Sequence, residues 1–179
     1  MSLEENKALV RRFNTEAFDE GDVSAAQRYL APDFLNHVSG KRGVEEMQRI
    51  IRYVRAAFPD GRLEVDQEIA EGDLVVQLIT STGTQTGEIL HTPWGPVAPT
   101  GRPVSWQSVR IYRIVGGKIA EHWAVRDDLR MLMQIGGPRR RASHLVWAPR
   151  SRRRDYSAQN PPARLARTER DSLILRRAA

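Results

Sequence analysis

The sequence predicts an α+β domain over residues 1–136, with N-terminal helices followed by a mostly antiparallel sheet, and a basic, disordered tail over residues 137–179. Three observations carry this. Apolar residues recur three and four apart as far as Phe58, and at period two from Leu63 onward. Turn chemistry at Pro59-Asp60-Gly61, Glu71-Gly72-Asp73 and Gly116-Gly117 divides the second half into strand-length pieces. Beyond Gly137 sustained periodicity stops, and 12 Arg stand against only Asp155, Glu169 and Asp171. The formal charge of +6 therefore belongs to the tail, and the domain in front of it is acidic on balance.

Ser2 and Glu5 form a capping box, and Leu9, Val10, Phe13 and Ala17 make a helical stripe that Gly21 ends. Asp22 caps a short second helix reaching about Leu30, which Pro32 stops. Ala31 to His37 reads as irregular chain and Gly40 to Gly43 as a loop. Val44, Met47, Ile50, Ile51, Val54 and Phe58 then define a third, strongly amphipathic helix.

Leu63, Val65 and Ile69 alternate with acids as a half-exposed strand, and Leu74 to Thr82 is an almost wholly apolar one. Gly83 and Gly87 allow that strand to continue, bent, to Leu90. His91 to Pro103, with four Pro and two Gly, is a loop. Val104–Val115 and Lys118–Asp127 pair across Gly116-Gly117, and a last short helix carries Leu129, Leu132 and Met133 on one side, with Gly136 as its C-cap.

Composition excludes several functions. Without Cys there is no disulfide scaffold, thiolate metal site or Cys nucleophile. His37, His91, His122 and His144 include no pair at metal-ligand spacing, so neither a metal nor an organic cofactor is expected. Phosphate-binding loops and nucleophile elbows are missing. No run of 18 apolar residues exists and the N-terminus is charged, so the expectation is a soluble, cytoplasmic protein without a membrane partner. The Arg-rich tail could bind nucleic acid without sequence preference, although Trp147 and Tyr156 are too isolated to form a stacking surface.

The stretch Gly117–Gly136 holds the leading candidate. On strict alternation Ile119, Glu121, Trp123, Val125 and Asp127 share one face, and Asp127 ends the strand just before a helix. A carboxylate so placed is a helix cap before it is a catalyst, and Asp128 could cap instead. If Val115 faces Lys118, then Trp123 faces Arg110, Val125 faces Ser108 and Asp127 faces Trp106. The two Trp would then desolvate Asp127 and raise its pKa, with Arg110 ready to take a substrate oxyanion, unless both Trp are plain core. A one-residue slip would bring Gln107 and Val109 there instead. His122, of opposite parity, reads as a surface or interface residue.

Gly117, Lys118, Ile119, Glu121, Trp123, Asp127, Gln134 and Gly136 together resemble the closing segment of SnoaL-like polyketide (ester) cyclases, and the likeness runs from about Met1 to Gly137. The resemblance implies the nuclear transport factor 2-like cone, a curved sheet wrapped around helices and one deep pocket. It assigns Asp127 the catalytic role: removing a proton between two carbonyls and returning one, in a cofactor-independent intramolecular aldol cyclisation. Asn36 and His37 take the family's place at the pocket mouth, where His37 could equally be a surface residue. Pro99-Thr100-Gly101 matches a pocket-rim segment, with His91 and Trp94 beside it and Trp94 as part of a lid. Gln85 stands where the family often has His, which bears on the substrate class. Trp106, Ser108, Arg110 and Trp123 complete the expected substrate contacts. The expected partners are a small polyketide-like ligand and further copies of the chain. The rival readings are another small-molecule function on the same cone, or a nucleic-acid role through the tail.

Overall fold

Ser2 starts the first helix as its sequence predicts. In the computed structural model, which describes residues 2–88, 90–92 and 95–136, Ser2 Oγ accepts from Glu5 N while Glu5 Oε2 accepts from Ser2 N, and α1 (Leu3–Asn14) follows. Val10 and Phe13 on its stripe are fully buried. The helix then widens into one π turn, Thr15–Asp19, closed by Glu20 N donating to Thr15 O at 2.9 Å. Widening lets Ala17 and Phe18 both point inward. Asp22 ties down the next turn by accepting from Ser24 N at 2.8 Å, and α2 (Ala25–Tyr29) is short.

The segment expected to be irregular is a strand, β1 (Leu30–Asn36). It pairs with β2 (Lys41–Arg42) on one side and runs parallel to β8 (Lys118–Arg126) on the other. Pro32 lacks an N–H, and the pairing with β8 breaks between Leu30 and Leu35, which is how a strand accommodates it. Helix α3 (Val44–Ala57) crosses the sheet with Met47, Ile51 and Ala57 buried. Strands β3 (Arg62–Glu71) and β4 (Leu74–Thr84) form the expected hairpin, with Gly72 at φ 58° in its turn. Strand β4 ends at Thr84 and does not continue to Leu90. The loop that follows holds a small hairpin, β5 (Leu90–Thr92) with β6 (Gly95–Val97). Strand β7 (Pro103–Val115) and β8 meet across Gly116 and Gly117, at φ 56° and 76°. Helix α4 (Asp128–Ile135) stops at Gly136 in the left-handed region.

The large sheet runs β2-β1-β8-β7-β4-β3, curved over α1 and α3, an α+β arrangement with N-terminal helices and an open sheet. One core cluster fills the space between the helices and β4, β7 and β8. A second joins the end of α3, the small hairpin, Val104 and α4. On α4 the buried residues are Met131, Leu132 and Ile135, so of the expected stripe Leu132 faces inward while Leu129 and Met133 are exposed.

Gln85 holds the small hairpin in place. Fully buried, its amide donates to Val97 O and Ala98 O at 3.2 Å, and its Oε1 accepts from Thr100 Oγ1 at 2.9 Å. Gly87 then passes so close to α3 that a Cβ would lie 1.7 Å from Ala56 O. Gly87→Ala must push this backbone off the helix and is expected to cost about 1–3 kcal/mol, read as a lower midpoint in thermal or urea unfolding. An unchanged midpoint would mean that the loop shifts freely.

Among the described residues no helix is long and apolar enough to cross a membrane. The expectations for the tail and for Trp94 lie outside the described residues, as does the side chain of His91 on β5.

Candidate functional site

The hairpin register decides which side chains reach the interior. Val115 pairs with Lys118 and Ile114 with Ile119 as expected, but the partner of Arg113 is Glu121. Ala120 is the extra residue of a bulge, and beyond it every pairing slips by one and the faces exchange. Trp123 therefore faces Ile111, Val125 faces Val109, and Asp127 N donates to Gln107 O at 2.9 Å. The expected pairings of Trp123 with Arg110, Val125 with Ser108 and Asp127 with Trp106 do not form.

Turned outward, Trp123 stacks on His37 with ring centres 4.2 Å apart, and His37 Nε2 lies 2.6 Å from Glu121 Oε2. Asp127 is exposed, its Oδ1 accepting from Arg130 N at 3.0 Å as the N-cap of α4. It borders an open surface hollow with Leu129, Arg130, Met133 and Gln134. The desolvated carboxylate between two Trp is thus replaced by a solvated cap. Asp127→Ala is expected to lower stability by about 0.5–2 kcal/mol and Asp127→Asn by far less, in paired melting curves.

Turned inward by the same bulge are His122, Ala124 and Arg126. They form one wall of a chamber of about 90 Å³ that opens to solvent. Arg110 and Tyr112 from β7 and Asn36 from β1 join them, facing apolar side chains that include Phe13 and Phe18 near the end of α1 and Met47, Ile50 and Val54 of α3. A second hollow of about 70 Å³ shares Val54 and Arg126 with it and is otherwise bordered by Tyr53, Phe58, Trp106, Asp128, Met131 and Leu132, with Leu90 and Thr92 of the small hairpin. Of the expected contacts, Asn36 and Arg110 meet in the chamber and Trp106 borders the second hollow, whereas His37 and Trp123 stack on the other side of the sheet. Ser108 is buried between them in sequence, its hydroxyl without a partner among the described residues.

The polar groups of the chamber are interlocked. Asn36 Oδ1 accepts from Val38 N at 3.1 Å, which fixes that atom as an acceptor. His122 Nδ1, 3.4 Å away, must then carry the imidazole proton and leave the lone pair on Nε2. Burial first, then the charges of Arg110, Arg126 and His37, pushes the His122 pKa down to about 3, so the ring is neutral at physiological pH. Tyr112 donates to Asn14 Oδ1 at 3.1 Å, Asn14 Nδ2 donates to Gln77 Oε1 at 2.7 Å, and Gln77 Nε2 donates to Glu68 Oε1 at 2.6 Å. The guanidinium of Arg110 lies over the Phe18 ring, 5.1 Å from its centre. Arg126 Nη2 donates to Asp128 Oδ2 at 3.0 Å where the two hollows meet. Among the described residues no three acidic or imidazole side chains converge to hold a metal ion. Sequence alternation missed His122 because Glu121 to Arg126 carries apolar residues on both parities.

A family model for SnoaL-like polyketide cyclase matches residues 8–135. Nogalonic acid methyl ester cyclase of Streptomyces nogalater is 30% identical over 127 residues, 68% of this chain and 91% of that protein. Among solved structures, TsrD of Streptomyces laurentii is similar at TM-score 0.69 and 29% identity, covering 77% of this chain and 99% of that one. AclR of Streptomyces galilaeus, for which a hydroxylase role has been suggested, is similar at TM-score 0.66 and 34% identity, covering 75% and 83%.

Proposed function

We propose that this chain, which belongs to the SnoaL-like polyketide cyclase family, closes a ring on a small poly-keto ester by intramolecular aldol chemistry, with no metal or organic cofactor. The observation that supports this is the cluster of Asn36, His122, Tyr112 and Arg110 on one wall of an otherwise apolar chamber. Apolar walls fold the substrate so that donor carbon and acceptor carbonyl meet, which removes much of the entropic part of the barrier. A C–H between two carbonyls is already acidic, so a modest base suffices. Neutral His122, with its lone pair on Nε2, accepts that proton, and the positive charge of Arg110 and Arg126 on the same wall favours the enolate as it forms. The imidazolium that the empty chamber disfavours is offset by the enolate formed beside it. The carbanion attacks the second carbonyl, and His122 returns the proton to the alkoxide, so the product is an isomer of the substrate. In this reading Asp127 stays outside the chemistry, as the cap of α4.

A second reading is hydroxylation of an aromatic ligand, favoured by the likeness to AclR and by the lack of a carboxylate among the chamber's lining residues. It would need oxygen and a reductant. Mass separates the two. Incubated with nogalonic or aklanonic acid methyl ester, the chain is expected to yield a product of unchanged mass containing one new ring, at a rate indifferent to chelator. A product heavier by one oxygen would replace the cyclase reading with the second, and loss of activity in chelator would refute the mechanism given above.

A further inference from the structure

The chamber's charge is one-sided. Arg110 and Arg126 are cationic, His122 is neutral, and no carboxylate is among the lining side chains. Arg126 is partly compensated by Asp128 at 3.0 Å. Arg110 makes no ion pair among the described residues. Asp19, a carboxylate within its electrostatic reach, is already engaged by Leu63 N at 2.7 Å and is closer in influence to Arg62 and Arg55. The Arg110 guanidinium is half-buried, with the Phe18 ring beneath it and apolar side chains opposite. A partly desolvated guanidinium without a counter-ion is costly, and its planar fork matches a carboxylate or phenolate oxygen pair. The π turn places Phe18 beneath the guanidinium.

We infer that the substrate enters already carrying an anionic oxygen, a carboxylate or an acidic ring hydroxyl, and that Arg110 seats it with Arg126 at the far side of the same wall. This rests on the reading of the chamber as the substrate site, and it narrows the substrate class: a ligand whose acid is capped as an ester keeps the apolar contacts and loses the charge-assisted bond. Any ester group of the substrate then lies elsewhere than on Arg110.

The test uses two probes with one ring body, anthraquinone-2-carboxylate and its methyl ester, with binding to the full chain followed by tryptophan fluorescence and by calorimetry. The acid is expected to bind at least about tenfold more tightly than the ester, with the margin shrinking as salt is raised, since a charge-assisted hydrogen bond contributes roughly that much. Arg110→Gln should abolish the margin while leaving ester affinity and melting temperature near wild type, and Arg110→Lys should keep part of it. Equal or tighter ester binding by the wild type, or an acid preference that survives in Arg110→Gln, overturns the inference while the chamber stands. If neither probe binds the wild type, the chamber reading itself fails and takes the inference with it.

Discussion

His122→Gln is expected to slow the turnover of a cyclised substrate by about 10²- to 10⁴-fold, the range a positioned general base supplies. Gln can still donate to Asn36 Oδ1, so the wall keeps its shape, but it cannot take a proton from carbon. Substrate affinity should change by less than about tenfold, placing the loss in kcat, the signature of an interaction made in the transition state. Asp127→Asn, measured beside it, should keep most of the rate. The reverse pattern, with His122→Gln active and Asp127→Asn dead, would return the chemistry to the carboxylate that the family resemblance assigns.

The same histidine fixes two pH dependences. Because the folded chain holds His122 neutral down to about pH 3, kcat/KM should not fall between pH 7 and 5 as it would for a histidine titrating at its ordinary value. Stability runs differently. The unfolded chain takes up this proton near pH 6.5 and the folded chain does so only at about pH 3, so in that window the unfolded state binds more protons. Stability therefore declines as pH falls from 6.5 towards 3, and the decline should be shallower in His122→Gln. Identical slopes would mean that burial, together with the charges of Arg110, Arg126 and His37, does not keep the folded ring neutral.

What could be read from the sequence was whatever rests on local chemistry. Ser2 with Glu5, Gly72, Gly116-Gly117 and Gly136 are recognisable because a cap or a tight turn requires their atoms or their positive φ. The α3 stripe was equally plain, since six apolar residues at 3–4 spacing have few alternatives. The site was less legible. One bulge at Ala120 exchanges the two faces of β8, and nothing in Glu-His-Trp-Ala-Val-Arg marks which parity is inward, because Trp123 and Val125 are as apolar as any core residue. Strand β1 was hidden for a related reason: its partner β8 is more than eighty residues away, and Pro32 argues locally against a strand. Arg110 and Asn36 could be identified because a register error in β8 does not move the faces of β7 or β1.

A buried chain of polar side chains lies beneath Tyr112. Asn14 sits on the apolar side of α1 with 3% of its surface exposed, and Gln77, fully buried on β4, bonds it on one side and Glu68 on the other. Arg11 reaches Glu68 from α1, so this chain fastens the helix to the sheet and ends at the Tyr112 hydroxyl. Gln77→Leu is expected to destabilise the domain by roughly 3–5 kcal/mol, because it strands the Asn14 amide donor and removes one of the bonds to Glu68, each orphan costing about 1–3 kcal/mol. For a domain of this size that corresponds to a fall in melting temperature on the order of 10 °C. Joining Asn14→Leu to it removes the stranded donor, so the double variant should lose clearly less than the sum of the two single variants. With Asn14 free to turn, Tyr112 loses its fixed acceptor, and the chamber should bind an aromatic probe more weakly in Gln77→Leu even at temperatures where the variant is fully folded. A single variant as stable as the wild type, or strict additivity in the double, would show that water replaces the missing amide and that the chain is not what holds α1 against the sheet.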